Sequence, residues 1–217
     1  MTISTYAELK TGIANWLARS DLTGRDDEFI DNVEAKFNRR FRLRSQEAAK
    51  SGTFTAEDPA VPLPANFLEM RSFQFVVSDH AMTLEFATLE QNEALEWSEP
   101  GLPQYYTFAN GEIRLYPAPD QAYAYTIRHY TKIPALSASA TTNYIITNFP
   151  DAYLYGSLIE ACAFIGDDPR LPLWKQGFEE VMAEIKKADA RERFREPVIH
   201  LDTELLLASV SRIETDS

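Results

Sequence analysis

The sequence predicts an α+β fold: a helical bundle built from N- and C-terminal helices, with a β-rich insertion and an extended C-terminal arm. Three observations carry this. Apolar residues recur at helical spacing near both ends of the chain, and most of the twelve prolines fall between Ser51 and Asn148 among aromatic and β-branched runs. After Pro197 comes a segment rich in large apolar residues, where a solvated tail should be polar. The expected division is residues 1–50 for the first helices, 51–148 for the β-rich insertion, 149–195 for the last helices and 196–217 for the arm.

The first helix has a start signal. Ser4 or Thr5 can cap it, with Glu8 as the capping-box partner. Tyr6, Leu9, Ile13, Trp16 and Leu17 then form one stripe that stops near Ser20, and Leu22-Thr23-Gly24 makes the turn. Asp26 or Asp27 suits the positive end of a second helix. Phe29, Ile30, Val33, Phe37 and Phe41 make its buried face, while Lys36, Arg39 and Arg40, followed by Arg42 and Arg44, lie opposite.

Short strands are expected at Gly52–Thr55, Met70–Val77, Ala81–Glu85, Gln104–Ala109, Glu112–Tyr116 and Tyr123–Thr131. Asn110-Gly111, between two alternating runs, accepts the positive φ values of a two-residue hairpin turn. Tyr123, Tyr125, Ile127 and His129 alternate with Ala124, Thr126, Arg128 and Tyr130. Thr88–Trp97 reads as a short helix with Leu89 and Leu95 inward, and residues 59–64 as an extended connector.

Helix returns with Thr147 or Asn148 as cap and Pro150 in the first turn. Tyr153, Leu154, Ser157, Leu158, Ala161 and Phe164 form the stripe, and Gly166 to Pro169 break it. A long helix over about 169–194 buries Leu173, Trp174, Phe178, Val181, Met182 and Ile185. Its end, KKADARERFRE, has no apolar face, so it bridges solvent or packs on a partner.

At 217 residues and 45% hydrophobic, the chain can bury one sizeable core, or one core with a small lobe. No run approaches the roughly 18 apolar residues of a membrane span. The first residues lack a basic leader before an apolar run, so the expectation is a protein that stays in the cytoplasm where it is made.

Net charge is −12, unevenly spread. Residues 1–50 carry nine Lys and Arg against eight Asp and Glu, residues 51–148 four against eleven, and residues 149–217 eight against fourteen. Such an acidic surface repels phosphate, which argues against specific nucleic-acid binding. The same repulsion would let DNA slide through a channel without sticking, although solubility alone also explains it.

The residues offer no recognised catalytic pattern. The chain has no phosphate-cradling glycine loop, Cys-x-x-Cys, His-Glu-x-x-His or Gly-x-Ser-x-Gly. Cys162, the single cysteine, sits in an apolar run and reads as a small buried hydrophobe. His80, His129 and His200 are scattered, and Asp167/Asp168 and Glu179/Glu180 fall where solvated helix ends and faces are expected. The expectation is no enzyme, no cofactor and no metal site. The run of Arg39, Arg40, Arg42 and Arg44 could bind nucleic acid, but overall acidity favours a structural role: cations at a helix C-terminus, pairing with acidic surfaces of neighbouring subunits.

Six segments in this order resemble the head-to-tail adaptor (connector) family of short-tailed bacteriophages. They are TYAELKTGIANWLARSDL, DDEFIDNVEAKFNRRFRLR, LPANFLEMRSF, GLPQYYTFANGEIRLYPAP, YTIRHYTKIPALS and TNYIITNFPDAYLYGSLIEACAFIGDDPRLPLWKQGF, spanning about Thr5 to Ile185. The resemblance implies a homo-oligomeric ring, commonly of twelve subunits, in the virion neck below the portal protein. It implies a tail nozzle or tail tube protein on the far side, double-stranded DNA passing through unbound, and a part in retaining the genome before ejection. It also implies a portal-binding arm, here Val198, Ile199, Leu201, Leu205, Leu206, Leu207, Val210 and Ile213. From the residues alone, that segment can bury its apolar side chains on its own domain or on another chain, with the second preferred. Competing readings are another neck component, such as a nozzle or tail-completion protein, and a small hydrolase with an unrecognised site.

Overall fold

The computed structural model describes residues 3–193 apart from 20, 23, 96, 98 and 167. It shows a mixed α+β architecture, with six α-helices and two four-stranded sheets among the described residues. The proposed arm, 198–213, lies outside them.

Helix α1 spans Tyr6–Leu17 and opens on the expected capping box: Thr5 Oγ1 accepts from the Glu8 N–H, and Glu8 Oε2 accepts from the Thr5 and Ser4 N–H groups. Helix α2, Asp26–Arg40, starts with three acids and ends with two arginines, each matched to the dipole at its end. Phe29, Ile30, Val33 and Phe37 on α2, and Phe41 beyond it, are buried as expected.

A 3₁₀ turn at Arg44–Gln46 leads into β1, Glu47–Thr53. The strand thus begins inside the segment expected to be helical, because Glu47 to Thr53 pair residue for residue with Tyr130 back to Ala124. β2 (Ala60–Pro62) forms within the expected connector. β3 (Phe67–Val77), β4 (His80–Thr83), β5 (Glu85–Phe86), β6 (Tyr105–Ala109), β7 (Glu112–Tyr116) and β8 (Ala124–Thr131) follow. One sheet runs β1-β8-β3-β4, all antiparallel; the other runs β2-β7-β6-β5, with β5 parallel to β6. Asn110 and Gly111, both at positive φ, make the expected two-residue turn between paired Ala109 and Glu112.

Helix α3 spans Leu89–Ala94 and corrects one expectation. Leu89 and Leu95 are exposed, and Asn92 faces inward instead, its side-chain amide donating to the Ala87 and Thr88 carbonyls. A short helix α4, Tyr144–Asn148, was not anticipated; Asn143 caps it, its Oδ1 accepting from the Ile145 and Ile146 N–H groups. The next helix, α5 (Pro150–Ile165), therefore starts after Phe149 rather than after a polar cap. Helix α6 spans Leu171–Arg193. Trp174, Phe178, Val181, Met182 and Ile185 are buried on it, but Leu173 is exposed, as are Trp16 on α1 and Phe164 on α5.

Two hydrophobic cores result. One draws on residues 9–43 and 133–185, the other on residues 54–127. In the first, the Phe37 ring meets Tyr153 edge-on at 5.0 Å and stacks near Phe178 at 6.3 Å, joining α2, α5 and α6. In the second, Phe54, Phe73, Tyr106 and Tyr125 fill the space between the sheets. Polar pins hold α2 and the turn after it to the chain leaving β8. Ile133 N–H donates to Asn38 Oδ1 and Leu136 N–H to Glu34 Oε1, both at 2.8 Å, and Gln46 exchanges bonds with Thr131.

Candidate assembly interface

The arginine run occupies the end of α2 and the turn beyond it, where the chain passes from the helices to β1. Each arginine meets a different fate. Arg40 forms a two-pronged pair with Glu179 on α6, at 2.7 and 2.6 Å. Each member is held charged by the other's hydrogen bond: the Arg40 value is raised and the Glu179 carboxyl lies below its usual range. Arg42 reaches Glu69 on β3 at 2.5 Å and donates to the Asn38 and Phe41 carbonyls. Arg44 donates its backbone N–H to Asp189 Oδ1 and its guanidinium to the Glu192 carbonyl. Arg39, exposed, has no hydrogen-bond or ion-pair partner among the described residues.

The charged end of α6 is the other half of this junction. Arg193 donates to the Arg42 carbonyl at 2.7 Å, to Asp189 at 2.8 Å and to Tyr130 Oη at 3.3 Å, and lies 3.6 Å from Glu47. Within the described residues, this polar stretch packs on its own sheet and turn.

Two further surfaces are open. Between α2, α5 and α6 lies a groove of about 480 Å³ whose floor is Ile159 and Phe178 and whose walls carry Lys36, Arg39, Arg40, Lys175 and Glu179. Lys36 is paired with Glu160 and Arg40 with Glu179, whereas Arg39 and Lys175 are unpaired among the described residues. At the edge of the sheets, Phe108 contacts Phe67 at 5.7 Å and Phe86 at 6.1 Å; Phe86 is 56% and Phe108 41% exposed. Open aromatic clusters of this kind are associated with contact surfaces.

The residues weighed for chemistry are not brought together. His80 is exposed on β4, and among the described residues its ring bonds to the Ser78 carbonyl two residues away. His129 is buried in β8 and stacks under Phe67 at 5.8 Å, with Nδ1 unpaired among the described residues. Cys162 is buried on α5, and burial pushes its thiol up, away from the reactive thiolate. His200 lies outside the described residues. Among the described residues, no group of three or more His, Cys, Asp or Glu is placed to hold a metal.

Comparison with protein-family models decides the matter: the model of the SU10 adaptor protein matches residues 4–200. The chain belongs to this family of phage head-to-tail adaptors. No match was found among curated proteins. The adaptor is thereby a phage structural protein, and its family implies a place in the virion neck beside portal and tail components. No described helix of the adaptor is long and apolar enough to cross a membrane.

The sequence missed Glu34. It is buried between α2, α5 and the 132–143 segment, accepting from the Leu136 N–H and from Tyr153 Oη at 3.0 Å. Burial raises its carboxyl to about 6. An acid on an otherwise apolar helical stripe was the only available signal.

Proposed function

We propose that the adaptor assembles as a ring, commonly of twelve subunits, below the portal, continuing the DNA channel toward a tail nozzle or tail tube protein. The family match over residues 4–200 carries this reading. The chain acts mechanically and not as an enzyme. Its helices form a bundle, into which the β-rich stretch at roughly 51–148 is inserted. A ring interface is heterologous and closes by rotation, so each subunit must offer two different complementary faces. The basic end of α2 supplies one such face and the acidic stretch 51–148, with a net charge of −7, supplies the other. Of the four arginines, Arg39 is the best placed to reach a neighbour, since Arg40, Arg42 and Arg44 already bond within their own chain. Net acidity keeps DNA moving through the ring unbound.

The arm, Val198 to Ile213, fastens the ring to the portal by burying its leucines, isoleucines and valines there, at roughly 25 cal/mol per Å² of apolar surface. Deleting residues 198–217 tests this. The truncated chain should stay folded, with the far-UV circular dichroism of the parent domain, yet fail to join portal-bearing heads. Normal assembly by the truncated chain would remove the docking claim.

A further inference from the structure

The groove between α2, α5 and α6 combines an apolar floor with surplus positive charge. Lys36 and Arg40 spend their charge on Glu160 and Glu179, leaving Arg39 and Lys175 on the rim without described partners. One segment of the chain has the matching chemistry. Residues 201–207 read Leu-Asp-Thr-Glu-Leu-Leu-Leu, two acids two residues apart, flanked by leucines.

We propose that in the free subunit the segment Leu201–Leu207 docks in its own chain's groove, its leucines over Ile159 and Phe178 and its acids against Arg39 and Lys175. The reach is sufficient. Lys175 lies 18 residues before Arg193 on α6, about 27 Å back along the helix at 1.5 Å per residue. Leu205 lies 12 residues beyond Arg193, which spans up to about 40 Å when extended. Attachment to the same chain gives the segment an effective concentration of order millimolar, so it occupies the groove ahead of any dilute competitor. The open aromatics Phe86 and Phe108 fit this segment less well, because they belong to the stretch with net charge −7, which repels Asp202 and Glu204. Docking covers the groove until a competing partner draws the segment out. The inference concerns the subunit before assembly and does not rest on the portal reading, so either can fail alone.

The test uses the full chain with Leu206 replaced by the photoreactive residue benzoylphenylalanine, illuminated as the free protein. Heavy- and light-isotope chains are mixed beforehand to separate crosslinks within a chain from those between chains. The expected crosslinks join residue 206 to the Ile159, Lys175 and Phe178 region of the same chain. Reversing both rim cations, R39E with K175E, should lower their yield roughly fivefold, the loss of two exposed ion pairs of ordinary strength. Far-UV circular dichroism should be unchanged, since neither cation has a described partner to lose. Crosslinks to the Phe86 and Phe108 surface, crosslinks solely between chains, no crosslink at all, or a yield indifferent to the charge reversal would each overturn the proposal.

Discussion

Glu34 gives the sharpest physical test of how this fold is held. Its Oε1 takes hydrogen bonds from the Leu136 N–H at 2.8 Å and from Tyr153 Oη at 3.0 Å, so one carboxyl fixes the return from β8 to the helices. Burial opposes its charge and moves its ionisation from 4.5 to about 6, more than the two bonds recover. The folded state therefore holds the proton more tightly than the unfolded chain does. Glu34 favours folding most below pH 4.5, and this contribution is lost as pH rises to about 6. At 1.36 kcal/mol per tenfold change in affinity, the ionised side chain costs the fold about 1–2 kcal/mol at neutral pH. Glu34→Gln keeps the acceptor oxygen and removes the charge. Oε2 is not among the fully buried unpaired atoms, so the new amide nitrogen can meet water. Urea unfolding at pH 4 to 8 should show the variant about 1–2 kcal/mol more stable than the parent at pH 7.5 and equal to it at pH 4. Glu34→Leu, which strands the Leu136 N–H, should lose about 1–3 kcal/mol. A Gln variant less stable than the parent at pH 7.5, or a difference that does not vary with pH, would refute the reasoning.

Three further outcomes are expected. Gly156→Ala places a Cβ 2.8 and 2.9 Å from the Val33 methyls and 3.0 Å from the Phe178 ring. That clash in a filled core should cost about 1–3 kcal/mol in urea unfolding, despite a helix-propensity gain of about 1 kcal/mol. Arg39→Glu should change monomer stability by less than about 0.5 kcal/mol while weakening ring formation in sedimentation, whereas Arg40→Glu, which loses Glu179, should impair both. Substituting His80, His129, His200 or Cys162 by Ala should leave assembly on portal-bearing heads without any specific catalytic defect; loss of a measured activity would reopen the hydrolase reading.

Much of the fold was legible because it rests on local rules. The Thr5–Glu8 box, the Asn110-Gly111 turn, the period-two run into Thr131 and the stripe from Trp174 to Ile185 each declare themselves within a few residues. What escaped depends on distant partners. β1 is a strand because β8, some eighty residues later, offers a ladder to Glu47–Thr53. Asn92 turns inward because the Ala87 and Thr88 carbonyls accept its amide, a preference that the hydrophobicity of Leu89 and Leu95 conceals. The arginine run was visible as charge, but its partners Glu179, Glu69 and Asp189 lie on α6 and β3, and no spacing rule links them to Arg40, Arg42 and Arg44. The polar end of α6 read as a solvent bridge or a partner contact for the same reason, whereas Arg193 meets Arg42, Glu47 and Tyr130 of its own chain.

The central claim is that this chain is a ring-forming link between portal and tail. Native mass spectrometry of the purified adaptor mixed with portal rings addresses it directly. The account predicts one added complex, a portal ring carrying a fixed and complete set of adaptor copies, commonly twelve. Portal and adaptor masses that remain separate at every ratio would contradict it.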